Sequence, residues 1–400
     1  MLEQPVFGRR LRQLRAERGL TLAALAGEGM SAGYLSRLES GARQPTERAV
    51  AHLAAQLGVS PAELTQSTAT SLAQSLTLAT GLGQDEAGET LSEALKASEG
   101  EDPLLRWQAL WRVAEWRRQR QEYTEQRVCL DELVRLSTQI GLPELQARAL
   151  AELARCMRNT GDIADAVEAG TRACELAKSE GLPARVRTST LLALVSALGE
   201  AGRITEAARC TEELLAAAEG GPGLQWAQAL WTAASTRSRQ GDPDAAAELM
   251  DQAVRSFDGR DDLTVWMNLR ISAARADLQV DPPRTDAAQQ RVEEVQAALP
   301  FAGAPSVEQA LLAVRARIAV ATGRPDQARA VLDQLVGFDD LLTYQDRIRL
   351  DVLRNRVLLL EGEQAPALAG LRKLAEQAQQ SGNMDLAAEI WRLVAESLAK

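Results

Sequence analysis

Histidine is all but missing from this 400-residue chain: His52 is the single one, and phenylalanine, tryptophan and tyrosine together make up only 4%. One imidazole cannot supply a histidine-based triad or a histidine zinc cluster. Neither a GxxxxGKS/T phosphate loop nor a GxGxxG turn behind a strand occurs, so no enzyme activity, cofactor or metal is expected. His52 lies within a helical stretch and is expected to be a partly buried packing residue. Cysteines are few as well. The four, Cys129, Cys156, Cys174 and Cys210, are scattered without CxxC spacing, and a chain of this size does not depend on disulfides. They are expected to be reduced, small and buried. No run of about 18 apolar residues occurs, and the opening MLEQPVFGRRLRQ lacks an apolar signal core. Neither membrane spanning nor export is expected, and the expected location is cytoplasmic.

What is abundant favours helix. Ala, Leu, Arg, Glu and Gln dominate, while the β-branched and aromatic residues that strands prefer are sparse, so the fold class is expected to be all-α. The length exceeds what one hydrophobic core usually holds, which calls for two or more units or a repeat array with a distributed core. The net charge of -10 is unevenly spread. Residues 1–65 carry eight arginines against six glutamates, net +2, leaving -12 on the rest. The basic end is the N-terminus.

From Val6 the sequence VFGRRLRQLRAERGL places Phe7, Leu11, Leu14 and Arg18 a helical turn apart, which predicts a first helix. Thr21 can cap a short second helix, LAALA, ending at Gly27; Ser31 can cap a third, AGYLSRLES, ending at Gly41. Pro45-Thr46 starts a fourth, ERAVAHLAAQL, closed by Gly58, and SPAEL starts a fifth with Ser60 as cap and Pro61 at its first position. The string GLTLAALA, then GMSAGYLSRLESGARQPTERAVAHLAAQLGVSPAEL, resembles the Cro-type (XRE) helix-turn-helix domain over residues 6 to 65. The resemblance implies a DNA-binding domain at residues 1–65 whose third helix enters the major groove, with Ala32, Gly33, Tyr34 and Arg37 facing bases. Thr21, Ser31, Ser36 and Arg43 would contact the phosphate backbone. Leu22 and Ala23 stand where the family often has an early glutamine. Glu39, common at its place in the family, is expected to pair a nearby arginine. Such domains usually act as dimers, so a homodimer on double-stranded DNA with a palindromic operator is expected.

The remaining chain is periodic. A turn recurs at Gln121, Gly161, Gly202, Gly241, Pro283, Gly323 and Gly362, at spacings of 40, 41, 39, 42, 40 and 39 residues. Five positions after the glycine or proline turns stands an alanine: Ala166, Ala207, Ala246, Ala288, Ala328 and Ala367. A small residue there lets two helices of a hairpin approach closely. A weaker copy, TGLGQDEAGETLSEAL, precedes these. The register resembles a tetratricopeptide (TPR) array with lengthened repeats over residues 68–400. That implies about eight helix pairs, a capping helix and a right-handed superhelical solenoid with a concave inner wall.

In TPR proteins the first helix of each pair lines that wall. Carried over by position, the inward residues are Trp111, Glu115, Arg118, Arg148, Arg155, Arg158, Asn159, Trp231, Ser235, Arg239, Arg270, Asp277, Arg317, Arg349 and Arg356. Of these, Trp111, Arg148, Arg155, Arg158, Asn159, Trp231, Arg270, Arg317, Arg349 and Arg356 are the candidate ligand-binding residues. Guanidinium groups grip carboxylates and phosphates bidentately, so a peptide or other small anionic effector fits such a wall. The chain uses 41 Arg and four Lys, so arginine is also its default surface cation. Trp107, Trp116, Trp226 and Trp266 are expected to be packing residues. The two-part order resembles the RRNPP group of peptide-pheromone receptors of quorum sensing. That resemblance implies a peptide in the TPR groove that changes superhelix or dimer geometry and thereby DNA binding. The alternative is a TPR interaction or scaffold protein that docks a partner protein, with DNA binding used only for recruitment.

Overall fold

In the computed structural model, residues 6–26, 29–61, 64, 71–97, 102–221, 223–301, 305–335 and 343–399 are described. They form α-helices joined by short turns, with no strand among the described residues. The chain divides into two units, residues 1–109 and 110–400.

The first unit opens with α1 (Val6–Glu17), α2 (Leu22–Ala26), α3 (Ala32–Glu39) and α4 (Glu47–Leu57). The fifth helix expected from Ser60 lies mostly outside the described residues, as does Gly27. Apolar residues one turn apart on α1 (Phe7, Leu11, Leu14) meet Leu25, Leu35, Leu38, Val50, Leu53 and Leu57 in one buried cluster. Gly8 allows α1 to lie against the end of α3, because a Cβ there would collide with the Leu38 carbonyl oxygen. The helix ends follow from their caps. Ser31 Oγ accepts from Tyr34 N at 3.1 Å and Thr46 Oγ1 from Ala49 N at 3.2 Å. α4 stops at Gly58, whose φ of 65° is left-handed. His52 is half-buried, with Nε2 3.2 Å from the Ala26 carbonyl oxygen. Two further helices, α5 (Leu72–Ala79) and α6 (Gln84–Ala97), pack on each other, α5 beginning with a Ser71–Gln74 capping box.

From α7 (Pro103–Gln119) and α8 (Tyr123–Ile140) onward, first and second helices alternate: α9 (Pro143–Thr160) with α10 (Ile163–Ser179), and α11 (Ala184–Glu200) with α12 (Ile204–Ala218). They continue as α13 (Gly223–Arg239) with α14 (Pro243–Ser256), α15 (Leu263–Asp277) with α16 (Thr285–Ala298), and α17 (Pro305–Ala321) with α18 (Pro325–Asp333). The last pair is α19 (Tyr344–Leu360) with α20 (Gln364–Gln380), and α21 (Met384–Leu398) ends the array. The period is now physical. Gly161, Gly202, Gly241, Gly323 and Gly362 all have positive φ, and Gln121 takes the same conformation at 61°. Each turn reverses the chain so that the second helix lies on the first, where Ala166, Ala207, Ala246, Ala288, Ala328 and Ala367 are no more than 2% exposed. Hairpins stack through apolar clusters that draw on neighbouring pairs, such as Met267, Ile271, Val292, Leu311 and Val314. Cys156 and Cys210 are buried and Cys129 and Cys174 half-buried, all free. Burial pushes the Cys156 and Cys174 thiols up to about 12.

The last helices do not simply extend the stack; they return to its early turns. α19 meets α9, and α21 meets α11. Arg239 Nε at the end of α13 donates to Asp385 Oδ2 on α21 at 2.8 Å, across 146 residues of chain. Two turn glycines receive the returning side chains. A Cβ on Gly161 would stand 2.8 Å from the Tyr344 ring, and one on Gly202 would stand 2.9 Å from Met384 Cβ. Tyr344 is held by its hydroxyl, which donates to the Gln377 carbonyl at 3.1 Å and accepts from Ser381 Oγ at 2.7 Å. The inner wall is therefore bridged rather than left as an open groove.

Gly241 has positive φ and open space around it, so Gly241→Ala carries only the backbone cost of about 1 kcal/mol. Gly161→Ala and Gly202→Ala add a collision with α19 or α21, and each is expected to cost at least about 1 kcal/mol more than Gly241→Ala in urea melts. Equal costs at all three glycines would show that the returning helices contribute nothing to stability.

Candidate DNA interface and inner wall of the repeats

The DNA candidate is α3. Its apolar side, Leu35 and Leu38, is buried, while Ser31, Ala32, Gly33, Ser36 and Arg37 are exposed. Gly33 has open space where a side chain would stand. Tyr34 is half-buried against the core, and Arg43 lies over its ring with the guanidinium carbon 4.8 Å from the centroid. Thr21 Oγ1 accepts from Ala24 N at 3.1 Å and so caps α2, as Ser31 caps α3. Two of the residues expected at phosphates therefore also fix helix ends. Glu39 does pair an arginine: Arg15 donates to it through Nε at 2.6 Å and a terminal nitrogen at 3.0 Å, while its other terminal nitrogen reaches the Leu20 carbonyl at 2.9 Å. This bidentate pair ties α1 to the far end of α3 and so orients the exposed helix.

In the repeats, the candidate residues fall into two groups. One is engaged in local structure. Arg148 lies over the Trp111 ring at 4.7 Å, and Arg270 lies over Trp266 at 3.5 Å and donates to Glu294 on α16 at 2.8 Å. Arg155 is bound by Glu152 and by the Ser189 carbonyl and hydroxyl at 2.9 and 3.0 Å. Trp231 packs, with Trp226 and Trp266, against the cluster around Ala246, Met250 and Leu269. Trp107 and Trp116 are buried. Glu115 and Arg118 are exposed. Ser235 Oγ donates to the Trp231 carbonyl at 3.1 Å, and Asp277, buried, accepts from Arg291 Nε at 2.8 Å.

The other group converges. Arg158 donates to Glu200 Oε1 at 2.7 Å and lies beside Asn159, whose Oδ1 is 3.4 Å away. Arg349 donates to Gln345 Oε1 at 3.0 Å, and Gln345 in turn to Asn383 Oδ1 at 3.1 Å. Arg317, Arg349 and Arg356 line one narrow cleft, of about 20 Å3, with Glu389 of α21. Arg275, Asp346 and Glu389 join this group without having been singled out by sequence. A signal existed: Arg155, Arg275, Arg317 and Arg356 each stand twelve residues beyond the first residue of their helix. On α15 the expected inward residues, Arg270 and Asp277, stand at other positions of the helix than Arg275.

The charges of this group feel one another. Burial lowers the Arg158 pKa, but the adjoining Glu200 outweighs it and holds the guanidinium above its ordinary value. Burial pushes Asp346 up, yet Arg275, the Thr343 hydroxyl, Arg349 and Arg158 together hold its carboxyl below the usual range. Arg317 has too little relief: burial, then the neighbouring Arg275, push its guanidinium down to about 10, and Glu389 offsets only part of this.

A carboxylate with a depressed pKa contributes stability above its unfolded value of about 3.9 and loses it as pH falls through the lower folded value. Asp346→Asn is therefore expected to destabilise the chain at pH 7 by about 1–3 kcal/mol, the difference from the parent shrinking as pH falls below the unfolded carboxylate value of about 3.9. Urea melts at both pH values decide it, and an equal difference at pH 7 and in acid would refute the assignment.

A helix-turn-helix domain model matches residues 6–66, and a MalT-like TPR region model matches residues 71–384. No curated protein matches the chain in sequence. Among solved structures, a Rap protein complexed with competence and sporulation factor is similar at 12% identity and a TM-score of 0.55, covering 98% of this chain and 97% of that one. The apo form of RapI has 10% identity and a TM-score of 0.46, covering 98% of both chains. The apo form of the quorum sensor NprR from B. thuringiensis has 13% identity and a TM-score of 0.44, covering 97% of both. At such identities the first of these shows likeness of fold. With well over half of its length matched by one family model, behind a matched helix-turn-helix domain, the chain belongs to the MalT-like TPR region family.

Proposed function

We propose that the chain is a sequence-specific DNA-binding transcription regulator whose TPR region takes up an effector, a peptide or other anionic ligand, that modulates DNA binding. The observation that carries this reading is α3. Its apolar residues are locked in the core, its orientation is fixed by Arg15–Glu39, and its other face is exposed, with Arg37 paired to no carboxylate among the described residues. Ala32, Gly33, Tyr34 and Arg37 face bases in this reading, and Thr21, Ser31, Ser36 and Arg43 hold phosphates. With so few large side chains on the helix, one copy supplies little affinity, which is why the reading includes a homodimer on a palindromic operator in the cytoplasm.

For the effector, support comes from arginines gathered on the inside of a protein of net charge -10. The Rap protein of similar fold was complexed with competence and sporulation factor, and by that likeness the repeats are where an effector of this chain is sought. Trp111, Arg148, Arg155, Arg158, Asn159, Trp231, Arg270, Arg317, Arg349 and Arg356 are the residues proposed for it. The effector acts only if it binds one conformation better than another; equal affinity would leave DNA binding unchanged.

Binding to the DNA upstream of the protein's own gene tests the regulator reading. The parent is expected to prefer that DNA over random duplex at moderate salt. Arg37→Ala should weaken specific binding by about 1–3 kcal/mol, and Arg43→Ala should weaken all duplexes alike and flatten the salt dependence by about one unit of slope. Absence of any preference in the parent would end the reading.

A further inference from the structure

We infer that Arg317, Arg349 and Arg356 form a binding site for one oxyanion group, a carboxylate or a phosphate, and that Glu389 of α21 competes with the ligand for it. This rests on the effector reading above and adds to it which arginines bind, what chemistry they take and what opposes it.

Two of the three belong to a ladder that continues beyond the cleft: Arg275 on α15, Arg317 on α17 and Arg356 on α19 occupy the same position on three successive first helices, and Arg317 feels the charge of Arg275. Among the described residues, other arginines of the inner wall have partners: Arg158 has Glu200, Arg239 has Asp385, and Arg155, at the same position of α9, has Glu152 and Ser189. The side chains of Arg275, Arg317 and Arg356 make neither an ion pair nor a hydrogen bond among the described residues. Arg275 Nε is buried with nothing to accept its proton. A buried donor left unmade is costly, and a guanidinium more so.

The cleft beside the ladder has the right scale. Its room of about 20 Å3, lined by Arg317, Arg349, Arg356 and Glu389 over Leu353 and Ile390, exceeds the roughly 10–15 Å3 that a water needs. It suits the oxygen of a head group whose remainder lies along the wall. Glu389 is the carboxylate of this cleft, yet it makes no ion pair with any described residue. Asp346 also acts on Arg349, while the nearby Glu200, Asp385 and Glu396 are paired with Arg158, Arg239 and Arg392. The low pKa of Arg317 agrees with a shortfall of carboxylate at the cleft. A bound anion would satisfy the open donors and would have to displace the field of Glu389.

The full-length protein is melted with increasing hexanoate, a carboxylate on an apolar chain, and separately with inorganic phosphate, each against chloride at matched ionic strength. At least one is expected to raise Tm saturably, by roughly 3 °C at ten times its Kd. The stronger response tells whether the group comes from a carboxylate or a phosphate. Arg317→Met should abolish the response while leaving the unliganded Tm unchanged or about 2 °C higher, since it removes an uncompensated charge. Glu389→Gln should strengthen it about threefold or more in Kd, a gain that a merely structural Glu389 would not give. No saturable response to either anion, an undiminished response in Arg317→Met, or an unimproved one in Glu389→Gln would each overturn the inference. DNA binding is read separately by the upstream-DNA assay, so an absent anion response with intact DNA preference rejects this site alone.

Discussion

A helical hairpin of some forty residues has an apolar face it cannot cover by itself, and that constraint organises the repeats. Each pair must lend its face to the next, which fixes one turn conformation and one small residue per repeat. The left-handed turn at Gly161, Gly202, Gly241, Gly323 and Gly362 and the buried alanine five residues later meet both needs. Two of these glycines carry a second load. At Gly161 and Gly202 the missing Cβ is also the space into which Tyr344 and Met384 fit, so one residue type serves the turn within a hairpin and the return of the array's end.

That return changes what the inner wall is. An open solenoid would leave its arginines in water, where a guanidinium needs no partner. With α19 and α21 brought across, Arg158, Arg275, Arg317, Arg349 and Arg356 come within reach of one another's fields and of Asp346 and Glu389. Coulomb energy between such groups is several times what it is in bulk water. Compensation is uneven. Arg158 and Arg349 are raised by their carboxylate neighbours, while Arg275, Arg317 and Arg356 are lowered chiefly by burial. The same residue type thus performs two roles on one wall, as a fastener near the early turns and as an unmet donor beside α21.

Much of this was legible in the sequence. The forty-residue register announced the hairpins because turn geometry and hairpin packing are local, and local requirements leave periodic residues. The cap at Ser31 and the stop at Gly58 were readable for the same reason. The Arg15–Glu39 pair was anticipated through a resemblance rather than through spacing. The inner wall was only partly legible, because the inward positions depend on helix phase, and a slip of a few residues exchanges Arg270, which meets Glu294, for Arg275, which does not. The return of α21 left no trace at all. Arg239 and Asp385 are ordinary charges on ordinary helices, and nothing periodic marks two residues 146 apart as partners.

The placement of Glu389 and Asp385 on one helix has a thermodynamic consequence. Asp385 holds α21 to Arg239, whereas Glu389, one turn later on the same helix, faces the arginines of the cleft without pairing them. An anion that satisfies Arg317 and Arg356 removes the attraction those arginines exert on Glu389 and leaves the Asp385 bond in place. Its binding energy is therefore divided between filling the open donors and weakening the attraction of the arginines for Glu389. By linkage, whatever holds α21 more firmly must weaken the anion by the same factor, and whatever frees it must strengthen the anion. The closed array and its unmet arginines are in this sense one equilibrium, set by how tightly the last helix is held.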